Sequence, residues 1–168
     1  VNFKLRIVAA RHAVSAQRGF IMGRQLVENI MDLDTAAREA AMRAGPGDLP
    51  VVPLYDFAAA FPSLSHEYVF MICEKLGMPG GMVEFVKAIY FFNCTFCDVA
   101  GVSVFLFVFG SGVIQGCPMS GFIFCCAINP FLKGMVDVIQ GGGHGIVRAC
   151  ADDLGAVLRD ISLLRSLA

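Results

Sequence analysis

Between residues 24 and 44 the apolar positions Leu26, Ile30, Leu33, Ala37 and Ala41 recur every three or four residues, with Glu28, Asp32, Arg38 and Glu39 between them and Gly45-Pro46 behind. That period predicts an amphipathic helix with a defined stop. The pattern then changes. LPVVPLYDF (49–57) is a short β-rich run, and Pro53, which cannot donate to a ladder, restricts it to an edge, a bulge or a strand that starts later. Two more helical stretches follow, 65–76 and 80–92, the first capped by Ser63 or Ser65 and ended by Gly77. Residues 94–100 and 102–109 read as strands turning at Gly101. The loop SGVIQGCP leads into a helix from 119 towards 138, interrupted near Pro130. A glycine-rich turn, GGGHG (141–145), separates that helix from a tight hairpin of strands 146–151 and 154–158, with Asp152 and Asp153 at its tip. No regular βαβ alternation and no internal repeat is present. The order predicts an α+β fold, an antiparallel sheet with helices on one face.

Composition changes this picture in two ways. With 57% hydrophobic and 16% charged residues in a chain of 168, a membrane span has to be tested first. The run 102–114 is short and carries Gly110 and Gly112, and 121–136 carries Asn129, Pro130 and Lys133. The expectation is therefore one domain with a deeply buried core, no membrane segment, and a face that another domain covers. Seven cysteines, odd in number and irregularly spaced, point to reduced thiols inside the cell. Cys94 and Cys97 form a CxxC with no second pair at zinc spacing, which argues against a structural zinc, and no signal peptide is recognisable. The net charge of −1 does not mark a nucleic-acid binder, yet Lys4, Arg6, Arg11, Arg18 and Arg24 all precede the first acid, Glu28. Such a segment suits phosphate contacts or a solvated surface equally.

The chemistry lies in carboxylates at strand ends: Asp56 after VVPLY, and Asp152-Asp153 after IVRACA. An unpaired buried carboxylate costs on the order of several kcal/mol, so a cation should face it. If the two strands are neighbours, Asp56 and Asp152 meet, and hard oxygen ligands suit Mg²⁺ and a two-metal phosphoryl transfer. An Asp pair in a hairpin is equally ordinary turn chemistry. SGVIQGCPMSG (111–121) is similarly open: glycines before a helix N-terminus let a sugar–phosphate approach, or Pro118 simply starts a helix.

Four segments in this order, QRGFIMGRQLVENI (17–30), LYDFAAAFPSLSHEYVF (54–70), SGVIQGCPMSGFIF (111–124) and ACADDLGAVL (149–158), resemble the reverse transcriptases of non-LTR retrotransposons and, more distantly, group II intron proteins. The resemblance implies a right-hand polymerase: partial fingers over 1–48, a palm with inserted helices over 49–168 that is cut short at its C-terminal end, and no thumb. It implies metal ligands at Asp56, Asp152 and Asp153, with the Phe57 carbonyl alongside. Phe61 would lie under the incoming sugar and exclude a 2′-hydroxyl, although without the resemblance a core aromatic is the better account. Gln115 and Gly116 would lie against the nucleotide, and Arg24 in the fingers would meet triphosphate or template. The implied activity is RNA-directed DNA polymerisation with Mg²⁺, or Mn²⁺ in its place. The partners are an RNA template, a DNA primer, a dNTP, a thumb and an endonuclease domain, and the nucleus is the favoured compartment. The chain departs from the pattern at Cys150, where an aromatic is usual, at Pro62, where a second Asp is common, and at Ile114, where an Arg is frequent. Two other readings stand beside it: an inactive remnant serving as a nucleic-acid scaffold, and an RNA-directed RNA polymerase, which the bulk of Phe61 disfavours.

Overall fold

A computed structural model describes residues 2–91 and 93–166. Helices α1 (Asn2–His12) and α2 (Leu26–Arg43) precede strand β1 (Leu54–Tyr55). Helices α3 (Ala60–Ser63), α4 (His66–Lys75) and α5 (Gly80–Tyr90) lead to the hairpin β2 (Cys94–Val99) and β3 (Val102–Val108). Helix α6 (Ser120–Val136) continues into a π-helical turn (Asp137–Gly141) and is followed by β4 (Gly145–Cys150), β5 (Asp153–Leu158) and a 3₁₀ helix (Ile161–Ser166).

The central sheet has the order β1-β5-β4, all antiparallel. Strand alternation sorts its side chains. Val147, Ala149, Leu154, Ala156 and Leu158 are buried in one cluster with Phe124, Ile128 and Leu132 of α6. Arg148, Cys150, Asp153 and Gly155 point the other way, where α2 crosses the sheet: Asn29 Nδ2 donates to the Ala149 carbonyl at 2.9 Å, and a Cβ on Gly155 would lie 2.7 Å from Leu33. Helices were expected on one face, and α6 provides that cover; α2 also lies across the second. Beyond β4, Ala149 N–H donates to the Ala16 carbonyl and Arg18 N–H to the Ala149 carbonyl, both at 2.8 Å. The bridge from Gln17 to Ala149 is parallel and makes the sheet mixed.

Pro53 sets the length of β1. Val51 and Leu158 exchange backbone bonds of 3.0 and 2.9 Å, and the Pro53 carbonyl accepts from Ala156 N–H at 3.0 Å, but proline returns no donor. The predicted strand over 49–57 shrinks accordingly to two residues on the sheet edge.

Helix α6 is the shared wall of two cores. Every residue from 122 to 128 is buried, and its side chains divide between the sheet cluster and a second one built from α4, α5 and part of α1. A helix apolar on all sides belongs in such a place. With the π-helical turn it reaches 22 residues, long and apolar enough by composition to cross a membrane, while 44% of its most apolar window is buried within this fold. The predicted interruption at Pro130 does not occur, since the exposed proline is carried inside a continuous helix. Neither predicted cap of α4 operates: Ser65 stands at the N-cap position with no side-chain bond, and Ser63 Oγ donates to the Ala60 carbonyl within α3. Its C-terminus closes as expected at Gly77, whose φ is +67, with Met78 N–H to Cys73 O and Gly77 N–H to Glu74 O.

The β2–β3 hairpin turns through Ala100 and Gly101, with φ of +54 and +80, the double positive of a type I′ turn. All of its strand residues except Thr95 are exposed, although Phe96, Val104, Phe105, Leu106 and Phe107 are all apolar.

Candidate active site

The register places the acids together by position. Tyr55 pairs with Leu154 and Leu54 with Gly155, so Asp56, the residue after β1, falls opposite Asp153. Cys150 pairs with Asp153 across the β4–β5 hairpin, and Asp152 occupies the turn between them. Asp56 and Asp153 line one cleft of about 300 Å³ with Leu26, Ile30, Tyr55 and Cys150. None of the three acids takes part in an ion pair among the described residues. Arg148 shares their face of the sheet, but its Nε is bound to Asp32 at 2.6 Å. Arg148 lines the same cleft with its guanidinium committed to Asp32, and carboxylates of this kind are the hard oxygen donors that divalent ions take. Among the described residues, no group of three or more His, Cys, Asp and Glu side chains is drawn together tightly enough to hold one. Phe57, beside Asp56, sets its ring edge-on to Phe131 at 5.8 Å.

Behind the turn lies a buried polar clamp. Gln17 is fully enclosed (0% exposed). Its Oε1 accepts from Ala151 N–H at 2.8 Å and from Gly19 N–H at 2.7 Å, and its Nε2 donates to the Ala151 carbonyl at 3.1 Å. Ala151 has a φ of +56, a left-handed value that an L-residue with a Cβ adopts at a cost. Gly19 passes so close that a Cβ there would lie 2.2 Å from Ala151 N. Cys125 Sγ donates to the Gly19 carbonyl at 3.1 Å. Burial, with Cys126, Cys150 and Asp152 nearby, pushes that thiol far above its ordinary pKa. Burial and then the charges of Asp153 and Asp152 push Cys150 up as well, so both thiols stay protonated beside the acids.

The loop 111–118 is held at several points. His66 Nε2 lies 2.8 Å from the Gly112 carbonyl, and Ser120 Oγ donates to the Ile114 carbonyl at 2.5 Å. Cys117 N–H donates to Ile114 O across a turn whose third residue, Gly116, has a φ of +82, as a type II turn requires. Gln115 is exposed and lines a cleft with Pro62, Ser111 and Ile114. Phe61 is half-buried and contributes to both cores, stacked on Phe124 (4.5 Å, 17°) and edge-on to Phe20 (6.4 Å, 83°).

Arg24 has partners the sequence did not suggest. Its guanidinium donates to the carbonyls of Gln17 (2.5 Å), Val14 (2.6 Å) and Ala13 (3.1 Å), fastening the chain ahead of α2. Burial, and then the charge of Arg18, lowers its pKa. Arg18 in turn bonds Asn29 at 2.7 Å, Asp32 at 2.8 Å and Glu28 at 3.0 Å. These bonds rotate α2 away from the predicted face: Asn29 is buried, while Leu26 and Ile30 are 54% and 62% exposed. One signal in the sequence anticipates this network, since Asn29 and Asp32 follow the same helical spacing as the apolar stripe. Nothing in the pattern marks Gln17 as buried.

No protein-family model matches the chain. It is 25% identical over 170 aligned residues, 96% of its own length, to the Transposon TX1 uncharacterized 149 kDa protein of Xenopus laevis. It is 33% identical over 102 residues, 59% of its length, to the retrovirus-related Pol polyprotein from type-2 retrotransposable element R2DM of Drosophila melanogaster. The chain spans 12% and 10% of those two proteins. Its fold matches telomerase of Candida albicans, solved in complex with a fragment of telomeric RNA, with a TM-score of 0.74 over 99% of this chain and 31% of that one, at 10% identity. Apo telomerase of Candida tropicalis matches with a TM-score of 0.70 over 98% of this chain and 35% of that one, at 12% identity. The chain is thus a distant homologue of retrotransposon Pol-like proteins and has the palm-type α+β architecture of the reverse transcriptase and telomerase fold.

Proposed function

We propose that this chain is the catalytic core of an RNA-directed DNA polymerase of a retroelement, with partial fingers over 1–48 and palm over 49–168. One observation carries the reading: the β1–β5 register sets Asp56 opposite Asp153 and beside the Asp152 turn, in a telomerase-like fold, with no protein cation paired to any of them. Asp56, Asp152 and Asp153, with the Phe57 carbonyl, would hold Mg²⁺, or Mn²⁺ in its place. A divalent ion there supplies charge neutralisation at the phosphoryl group being transferred.

The chain's own residues would do the positioning, from which most of the rate in such a transfer comes. The primer 3′-hydroxyl, releasing its proton to solvent, would attack the α-phosphorus of a dNTP; the new phosphodiester bond forms as the bond to the bridging oxygen of the β-phosphate breaks, and pyrophosphate leaves. Phe61, fixed by Phe124 and Phe20, would present a ring edge that a 2′-hydroxyl cannot pass. Gln115 and Gly116, held out by the 114–117 turn, would border the nucleotide. Arg24 would act here by fixing the fingers backbone, in keeping with its three carbonyl partners.

The uncollected side chains favour a second reading, an inactive polymerase-fold scaffold for nucleic acid. Primer extension on an RNA template separates the two. The expected result is incorporation of dNTPs but not NTPs with Mg²⁺ or Mn²⁺, reduced at least about a hundredfold in Asp152→Ala. No incorporation would leave the scaffold reading standing, and incorporation that survives Asp152→Ala would remove the site assignment.

A further inference from the structure

We infer that Gln17, together with the bare Cα of Gly19, is the positioning device of the Asp152–Asp153 turn. The two-residue hairpin between Cys150 and Asp153 consists of Ala151 and Asp152, and of these only Ala151 has a positive φ. A positive φ at the first central residue of a two-residue hairpin marks a place that favours glycine. Here it holds an alanine, and the left-handed backbone needs outside support. Gln17 supplies it from both sides of one residue, since its amide takes the Ala151 N–H and gives to the Ala151 carbonyl. The third bond, from Gly19 N–H, fixes the amide itself, so the three side-chain bonds of Gln17 tie the Ala151 turn to the backbone at residue 19. Only glycine at position 19 lets the supporting backbone come this near, because a Cβ would meet Ala151 N at 2.2 Å.

The consequence lies one residue further on. The direction in which Asp152 and Asp153 leave the sheet follows from the Ala151 backbone, so residues 17–19 set where the acid pair points without touching anything it binds. As a statement about metal and nucleotide the inference rests on the polymerase reading; as a statement about the turn it stands alone.

The test uses the ¹⁵N-labelled chain and four variants: Gln17→Met, Gln17→Glu, Ala151→Gly and the double variant Gln17→Met with Ala151→Gly. Readouts are amide exchange and the HN–Hα coupling at Ala151, and broadening of the Asp152 and Asp153 amide signals by Mn²⁺. Gln17→Met is expected to speed Ala151 exchange at least about tenfold beyond what its global stability accounts for. It should weaken the Mn²⁺ response by about 10–100-fold, the usual effect of losing a group that orients metal ligands. Ala151→Gly, which relieves the backbone strain, should restore much of that response in the Gln17→Met background. A role confined to packing predicts no such rescue.

Gln17→Glu keeps the shape and guards against a variant that fails to fold. When protonated, its hydroxyl can donate to the Ala151 carbonyl; when ionised it cannot, so the wild-type coupling should appear at low pH and vanish as pH rises. Unchanged Ala151 coupling and exchange in Gln17→Met, or a Gln17→Glu chain with no such pH dependence, would overturn the inference. If the wild-type chain neither responds to Mn²⁺ nor extends a primer, the polymerase reading falls, and the Ala151 measurements still decide the positioning claim.

Discussion

The two hairpins of this molecule turn through an alanine with almost the same backbone angle, φ of +54 at Ala100 and +56 at Ala151, yet they are stabilised in opposite ways. The β2–β3 turn is solved locally. Gly101 takes the second left-handed position, and Asp98 Oδ1 accepts from Gly101 N–H at 2.8 Å, all within four consecutive residues at an exposed tip. The β4–β5 turn is solved from afar, by Gln17, a buried amide 134 positions away in sequence. Local solutions make a hairpin. A remote one fixes a hairpin in a frame, and such over-determined backbone is characteristic of functional sites.

The sharpest way to break this comparison is to add a single methyl group on each side of it. Gly19→Ala drives a Cβ onto the Ala151 backbone and should lower stability by about 3 kcal/mol in urea unfolding. Gly101→Ala meets nothing within 4 Å and carries only the left-handed penalty, about 1–2 kcal/mol. Equal losses at the two positions would mean that the turns are supported alike.

A smaller effect tests the frame around β4. The hydrogen bond from Arg148, opposed by partial desolvation and reinforced by Arg18, holds the Asp32 carboxyl below its ordinary pKa. A carboxylate depressed in the folded state contributes stability above its unfolded pKa, about 3.9, and loses it as pH falls through the folded value. Melting curves from pH 6 down to pH 3 should therefore fall more steeply for the wild type than for Asp32→Asn. The difference should stay below about 1 kcal/mol, because a third of the Asp32 side chain is open to screening. A parallel fall in the two proteins would show that the Arg18–Asp32–Arg148 group adds nothing.

The smallest effect belongs to the exposed hairpin. Phe105 and Phe107 are 52% and 50% exposed, so Phe105→Thr and Phe107→Thr should each change stability by no more than about 0.5 kcal/mol. The same changes should raise the concentration at which the chain stays monomeric in sedimentation, because they interrupt an apolar strand edge. A large stability loss would place these rings in a core.

How far the sequence could be read follows the same division between local and remote. Helices α2, α4, α5 and α6 and both hairpins were legible because period, glycines and turn residues act within a few positions. The shortening of β1 was legible in Pro53. The burial face of α2 was not, since Arg18 and Arg148 reorient it through Asn29 and Asp32. Pro130 misled for a related reason: on the exposed side of a helix held by Phe124, Ile128 and Leu132 on its buried side, one missing donor does not end it. At the site, the acids were readable as types and positions. Their supporting shelf was not, because nothing short of a three-dimensional arrangement distinguishes Gln17 from any other glutamine.

The order in which the chain is made gives the clamp a kinetic meaning. Gln17 and Gly19 are synthesised more than a hundred residues before β4 and β5. Contacts of such separation form late and slow the final step of folding. A ribosome-bound chain therefore carries Asp56 and a water-exposed Gln17 until the β4–β5 hairpin emerges and docks, and the turn that holds the acid pair takes its supported form only then.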